Sequence, residues 1–179
     1  LALAVLTRWT NVAAIAAEHR VDGPLLGLAL DGIGLGSDGG AWGGELLRVD
    51  GATFERLGHL APIAMPGGDA AAREPWRMAA AALHRIGRTG QIDARFGHLP
   101  AAATVAQLLA RDLRCPPTSS MGRWFDAAAG LLRVRETAAY EGQAPMLLEA
   151  LAASAGSSFE REDLSGLVHL TPDGQLDPG

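Results

Sequence analysis

The chain has 179 residues, of which 48% are hydrophobic and 20% are charged, and its formal net charge is −5. This composition predicts one globular domain with a substantial core, or part of one. Because the charge is negative and no basic block occurs, neither nucleic acid nor an anionic membrane surface is expected as the main partner. All 15 basic residues are arginine, which excludes lysine-dependent phosphate binding and Schiff-base chemistry.

The first half of the chain predicts a helix followed by a small β-meander. Val12, Ile15 and Ala16 share one face of a helix expected over 11–19. Three strands are then predicted at 25–30, 46–49 and 54–63.

The second half is mainly helical in its hydrophobic spacing, with connecting segments rich in glycine and proline. The predicted elements are a loop over 66–75, a helix over 76–86, an irregular segment over 87–100, a helix over 104–113, a helix that opens at Ser119, a turn over 140–143, a helix over 146–153 and one strand near 167–170.

A glycine-rich stretch follows the first predicted strand, and it allows two interpretations. Seven glycines come within the thirteen residues after Asp31. Glycine permits a close main-chain approach to a ligand, so the stretch could form an anion site beside a carboxylate that suits a metal. The other interpretation is a β-hairpin with a tight turn at Asp38-Gly39.

The sequence excludes two familiar phosphate-binding motifs. Residues 34–39 fit G-x-G-x-x-G, but the sequence that follows predicts a strand and not the helix that a dinucleotide fingerprint requires. A P-loop needs a lysine, and the chain has none.

The helix that opens at Ser119 carries two charged residues of interest. Ser119 and Ser120 are expected to cap it, and the same helix end could hold an anion. Arg123 and Asp126 lie three apart on one face, so they could bind a phosphate and a ribose hydroxyl or simply form a local ion pair. The ion pair is the simpler interpretation. No two of the five histidines have metal-ligand spacing on one helix face.

Several blocks of sequence together resemble one family. Residues 31–45, DGIGLGSDGGAWGGE, resemble the DGTGYG-DG-xx-WGGE signature of the hydrogenase-maturation carbamoyltransferases, HypF. The blocks ERLGHL, MPGGDAAAREPWRMA, PPTSSMGRWFDAAAGLL and YEGQAPMLLEALA follow in the family's order, so that the resemblance runs from about Val5 to Ala155.

The resemblance implies an α/β fold of the actin-like, RNase-H-like (ASKHA) type, related to the TsaD threonylcarbamoyl transferases. Residues 1–179 would form part of such a domain, without its C-terminal portion. The implied reaction passes a carbamoyl group from carbamoyl-adenylate, made from carbamoyl phosphate and ATP, to a cysteine of a HypE-like partner during nickel–iron hydrogenase maturation. A cytoplasmic location is expected, and the lone Cys115 agrees with a reducing compartment.

The resemblance also implies site residues. Asp31 matches the family's metal-binding aspartate, for which zinc or iron is the expected ion. The positions that match the ATP or carbamoyl-adenylate site are Gly32, Gly34, Gly43, Gly44, Gly122, Arg123, Asp126, Gly142 and Gln143.

One departure from the family leaves two hypotheses open. The two histidines that the family places four apart on its first helix correspond here to Thr7 and Asn11. The chain is therefore expected either to act as part of a full-length carbamoyltransferase, inactive when isolated, or to be a degenerate, non-catalytic module that docks a partner.

Overall fold

The computed structural model describes residues 7–155 and 169–177. These residues divide into two compact units. The first comprises 1–62, 118–121 and 165–179, and the second comprises 63–117 and 122–164.

The first unit is a small sheet with one helix. Its elements are α1 (Thr7–Glu18), β1 (Leu25–Leu35), β2 (Ala41–Asp50), β3 (Thr53–Leu60), β6 (His169–Leu170) and β7 (Gln175–Asp177). Antiparallel pairing joins β1 to β2 and β2 to β3, while β3 pairs with β7 in parallel and β7 pairs with β6 in antiparallel fashion. The predicted three-stranded meander is confirmed as β1 to β3.

A tight connection joins β1 to β2. The main-chain N–H of Gly36 donates to the carbonyl of Gly40 at 2.8 Å, and that of Gly39 donates to the carbonyl of Gly36 at 3.0 Å. Gly39 has a φ of 79°, a value that glycine adopts without strain. The hairpin interpretation of the glycine-rich stretch is confirmed, but the turn spans Gly36 to Gly39 with Ser37 and Asp38 at its centre, one residue earlier than the turn predicted at Asp38-Gly39.

The core of the first unit is compact and contains few residues. Val12 of α1 packs with Trp42, Leu47 and Val49 of β2. A Cβ at Gly27 would lie 2.5 Å from both methyl groups of Val12, so β1 meets α1 closely because that position has no side chain.

The second unit is built largely of helices. Its elements are β4 (Ile63–Ala64), α2 (Asp69–Arg73), α3 (Pro75–Arg85), α4 (Gln91–Phe96), α5 (Ala102–Ala110) and α7 (Gln143–Ser154). The chain passes between the units at β5 (Pro117–Thr118) and at the start of α6 (Met121–Leu131).

Small side chains allow the helices of the second unit to approach closely. Most of α3 is buried, including its run of four alanines. A Cβ at Gly130 of α6 would lie 2.7 Å from the carbonyl oxygen of Pro75, so the absence of a side chain brings α6 against α3. Trp76 and Phe96 fill the remaining space, with ring centroids 5.8 Å apart.

The α/β class is confirmed, but several boundaries differ from the sequence prediction. The segments over 66–75 and 87–100 contain α2 and α4, because alanine favours helix in one and the i, i+4 pair Ile92 and Phe96 is buried in the other. The strand predicted over 54–63 ends at Leu60, two residues before Pro62, which cannot donate to a ladder.

At the carboxyl end, β6 confirms the strand predicted near 167–170 for its last two residues, and 167–168 lie outside the described residues. Among the described residues, none of the helices combines the length and the apolar content that crossing a membrane requires.

Candidate functional site

Asp31 lies on β1, which runs past the predicted end of the first strand to Leu35. The residue is exposed, and its Oδ1 accepts from the main-chain N–H of Gly32 at 2.5 Å. Gly32 and Gly34 are half-buried and fall where the pairing of β1 with β2 becomes irregular, between Leu30 and Gly34. The hairpin therefore presents a carboxylate beside two glycines.

Gly43 and Gly44 lie on β2 beside this part of β1, and both are buried. A Cβ at Gly43 would stand 1.9 Å from the carbonyl oxygen of Gly32 and 2.8 Å from both the Asp31 carbonyl oxygen and the Cα of Ser120. Gly43 thus brings Asp31, Gly32 and Ser120 together at main-chain distance.

The main-chain N–H groups of Gly43 and Gly44 already have an acceptor. They donate to Oε1 of Glu45 at 2.9 and 3.1 Å. Their expected place in a phosphate-binding wall stays a prediction, whereas their close packing against β1 is a property of this structure.

Glu45 is the most completely buried charged residue of the first unit, with no exposed area. Besides the two glycines, its Oε1 accepts from Ser119 Oγ at 2.5 Å. Its Oε2 accepts from Nε of Arg56 at 2.6 Å and forms an ion pair with the second terminal nitrogen at 2.5 Å. The Glu45 cluster, as we call Glu45, Arg56, Ser119 and the N–H groups of Gly43 and Gly44, satisfies a buried carboxylate completely.

Arg56 joins this cluster to the hairpin turn. Its guanidinium carbon lies 4.0 Å from the centroid of the Trp42 ring, and a terminal nitrogen lies 3.6 Å from Oδ2 of Asp38. The indole N–H of Trp42 donates to the same oxygen at 3.1 Å. The main-chain N–H of Gly40 donates to Asp38 and, with Trp42 and Arg56, holds the pKa of that carboxyl below its usual value.

Sequence reasoning missed the Glu45 cluster and misjudged Ser119. Ser119 was expected to cap a helix, but α6 begins at Met121 and the Ser119 hydroxyl donates to Glu45. Ser120 donates its hydroxyl to the carbonyl of Asp31 at 3.4 Å, and its N–H to Thr118 Oγ1 at 3.1 Å. The only signal in the sequence was the presence of Glu45 in the WGGE block and of Arg56 in ERLGHL.

In the second unit, Arg123 and Asp126 form the local ion pair that their spacing indicated. The two groups are 2.8 Å apart, and both side chains are buried. Burial raises the pKa of Asp126 to about 6, and the positive charge of Arg123 acts in the opposite direction. Gly122, the preceding candidate, is half-buried at the start of α6. Their role in nucleotide binding stays a prediction.

Gly142 and Gln143 form the entry to α7. Gly142 has a φ of 78°, and Oε1 of Gln143 accepts from the main-chain N–H of Ala139 at 2.7 Å. Next to this turn is a cleft of about 400 Å³ whose polar lining is Asp69, Arg73, Tyr140 and Glu141. The turn predicted at 140–143 therefore borders this cleft, while its role in nucleotide binding stays a prediction.

The described residues near Asp31 do not by themselves supply the set of ligands that a zinc or iron ion needs. No group of three or more His, Cys, Asp or Glu residues that could hold a metal ion occurs in the described part of the chain. Asn11 is exposed on α1, and Thr7 begins that helix. The role of Asp31 as a metal ligand stays a prediction, and we assign no reaction step to a metal.

Comparison with known proteins gives one consistent family. The family model described as "Carbamoyltransferase, Kae1-like Domain, second subdomain" matches residues 27–170. The chain is 63% identical over 155 residues to carbamoyltransferase HypF2 of Cupriavidus necator, covering 87% of this chain and 19% of that protein. It is 52% identical over 179 residues to a carbamoyltransferase HypF homolog of the same organism, covering 98% of this chain and 45% of that protein. The chain thus spans less than half the length of these relatives.

Solved structures agree with the sequence comparison. The crystal structure of T. kodakarensis HypF matches with a TM-score of 0.80 and 30% identity, covering 95% of this chain and 23% of that one. A full-length HypF crystallised in a phosphate- and nucleotide-bound form matches with a TM-score of 0.78 and 30% identity, covering 95% of this chain and 22% of that one.

Proposed function

The chain belongs to the HypF carbamoyltransferase family, and on that premise we propose that it forms part of the site at which a carbamoyl group is transferred to a cysteine. The donor would be carbamoyl-adenylate, made from carbamoyl phosphate and ATP, and the acceptor a HypE-like partner in nickel–iron hydrogenase maturation. The observation that carries the proposal is the match of 95% of the chain, at a TM-score of 0.80, to a HypF structure.

The proposed reaction is an acyl-type transfer. The thiolate of the partner's cysteine attacks the carbamoyl carbon, a carbon–sulfur bond forms, and the bond from that carbon to the adenylate oxygen breaks, so that AMP leaves with the electron pair. The thiol proton must be lost before or during the attack. Negative charge develops on the carbamoyl oxygen, and fixed dipoles close to that oxygen would lower the barrier.

We assign the ligand-facing role in the first unit to Asp31 and the adjoining Gly32 and Gly34. These residues are exposed or half-buried, so that a ligand can reach them. Gly43 and Gly44 are buried and their N–H groups donate to Glu45, which favours a supporting role for them.

In the second unit, the cleft beside Gly142 and Gln143 is by itself a separate candidate site for a nucleotide. Its lining supplies one guanidinium, a phenol and two carboxylates, which suit phosphate, base and ribose hydroxyl groups. Arg123 and Asp126 are 5% and 2% exposed, so their burial favours the ion pair over direct contact with a ligand.

A non-catalytic docking module is the second candidate, and one observation favours it. Leu26, Leu28 and Leu30 alternate along β1 and are 66%, 61% and 50% exposed. Such a row of apolar side chains is typical of a surface that contacts another part of a protein or a partner. This candidate explains the departure from the family at Thr7 and Asn11 without requiring chemistry.

A transfer assay tests the proposed function and separates the two candidates. The protein at its full natural length is mixed with ATP, carbamoyl phosphate labelled at carbon, and a HypE-like protein that ends in cysteine. We expect label on the partner, and we expect Asp31→Asn, which removes a charged acceptor for the carbamoyl NH₂ group, to slow its appearance by about tenfold. A stable complex with the partner but without label would support the docking module instead. Transfer of label that is lost when a chelator is added would argue against the docking module.

A further inference from the structure

Burying the charged Glu45 carboxylate between strands has a free-energy cost. Glu45 has no exposed area, and moving a carboxylate out of water carries a penalty that an ion pair often only offsets. A well-packed apolar residue would hold the sheet as firmly. What the carboxylate adds is directional geometry, because it accepts from two main-chain N–H groups, a hydroxyl and a guanidinium at once.

The groups that Glu45 holds are those against which Asp31 rests. The N–H of Gly43 donates to Glu45, and the Cα of Gly43 lies so close to Gly32 that no Cβ could be accommodated. Ser119 donates to Glu45 from the other side, and the next residue, Ser120, donates to the Asp31 carbonyl. A displacement of the Glu45 carboxylate would therefore reach Asp31 along two short routes.

We propose that Glu45 is a positioning residue, which through Gly43 and Ser119 fixes the main chain of Asp31 and so sets where the exposed carboxylate stands during carbamoyl transfer. Arg56 completes the device by neutralising Glu45, and its guanidinium lies against Trp42 and near Asp38 of the hairpin turn. This proposal rests on the proposed function, because it concerns the site at which the transfer takes place.

Variants at Glu45 and Ser119 test the proposal in the protein at its full natural length. Glu45→Gln keeps an acceptor for the two glycines but removes the charge that pairs with Arg56, and Ser119→Ala removes one donor. Glu55→Gln is the matched control, since Glu55 lies on β3 with its side chain 64% exposed. For each variant, kcat is measured per folded molecule, together with KM for the HypE-like partner and the midpoint of thermal unfolding.

A positioning role and a merely stabilising role give different results. We expect Glu45→Gln to lower kcat by at least about tenfold at an unchanged KM, and Ser119→Ala to lower it less, with Glu55→Gln equal to the wild type. A lower unfolding midpoint with kcat per folded molecule unchanged in both variants would overturn the proposal.

Hydrogen exchange reports on the same geometry without requiring activity. In Glu45→Gln, and in Ser119→Ala should the first variant fail to fold, we expect at least about tenfold faster exchange in the peptide that contains Ser120. Val49, near the other end of β2, should be unaffected. If the wild type transfers no carbamoyl group, the proposed function fails; unchanged exchange at Ser120 overturns the positioning role whatever the assay shows.

Discussion

The two units of this chain differ in the kind of interaction that stabilises the interior of each. The first unit has, beside its small apolar core, a buried polar cluster in which both oxygens of the Glu45 carboxylate accept hydrogen bonds from named donors. In the second unit the interior is apolar and alanine-rich, with Trp76 and Phe96 as its largest members. Its buried charges are the single pair Arg123 and Asp126 within the described residues.

The difference indicates two roles for buried residues. Apolar residues stabilise the fold, and buried polar residues fix the orientation of a particular group. Apolar packing is non-directional and tolerates substitutions of similar volume. A polar cluster fixes angles as well as distances, at a cost in desolvation. The Glu45 cluster lies next to the main chain of Asp31, where a transfer reaction would need a defined geometry.

The largest expected effect is on the apolar side of the comparison. Trp76→Ala removes a 2% exposed ring from the core of the second unit, and we expect a loss of about 3–5 kcal/mol in the free energy of unfolding. Denaturant unfolding measures this loss. Trp76→Phe, which keeps a ring in the cavity, is the control and should lose much less; equal losses would mean that packing at Trp76 is not what holds this unit.

The next effect is on the polar side. Arg56→Met removes the guanidinium that stacks on Trp42 and leaves the buried Glu45 carboxylate without its cation, and we expect a loss of about 3 kcal/mol in the free energy of unfolding. Restoring part of the loss by a second change, Glu45→Gln, would show that the unpaired charge is responsible. If the double variant were no more stable than Arg56→Met, that explanation would be wrong.

A smaller effect follows from the pKa of Asp126. Since burial raises that pKa to about 6, the folded protein binds a proton more readily than the unfolded chain does. Its contribution to stability is complete below the unfolded value of 3.8 and is lost as the pH rises through about 6. Lowering the pH from 7.5 to 5 should therefore stabilise the wild type by about 1 kcal/mol relative to Asp126→Asn.

Unfolding curves of wild type and Asp126→Asn across this pH range give the comparison, because the other carboxyl groups titrate in both proteins. A difference that does not vary between pH 7.5 and 5 would contradict the raised pKa.

The smallest expected effect is the coupling energy of an exposed ion pair, which contrasts with the buried pair of Arg56 and Glu45. Arg48 and Glu55 are 4.0 Å apart, with side chains 50% and 64% exposed. A double-mutant cycle with Arg48→Ala and Glu55→Ala should give a coupling below about 0.5 kcal/mol, and added salt should reduce it further. A coupling energy as large as that between Arg56 and Glu45 would mean that burial does not strengthen the interaction of an ion pair in this protein.

Local patterns predicted much of the fold, and distance along the chain explains most of what they missed. The hairpin and the long helices depend on neighbouring residues, and they were predicted, with the centre of the hairpin turn displaced by one residue. The burial of Glu45 depends on Arg56, eleven residues away, and on Ser119, 74 residues away, so periodicity in one strand could not reveal it. The short helices α2 and α4 were missed because one turn of helix between glycines and prolines gives too little periodicity.

The measurement that tests the central claim most directly is calorimetric titration with a non-hydrolysable carbamoyl-adenylate analogue. It would use the protein at its full natural length as wild type, Asp31→Asn and the Glu55→Gln control. If the hairpin presents Asp31 to the ligand, the wild type and the control bind with equal affinity and Asp31→Asn binds at least about tenfold more weakly, a difference of about 1.4 kcal/mol. Equal affinity in all three proteins would contradict the assignment of the ligand site to this edge of the sheet.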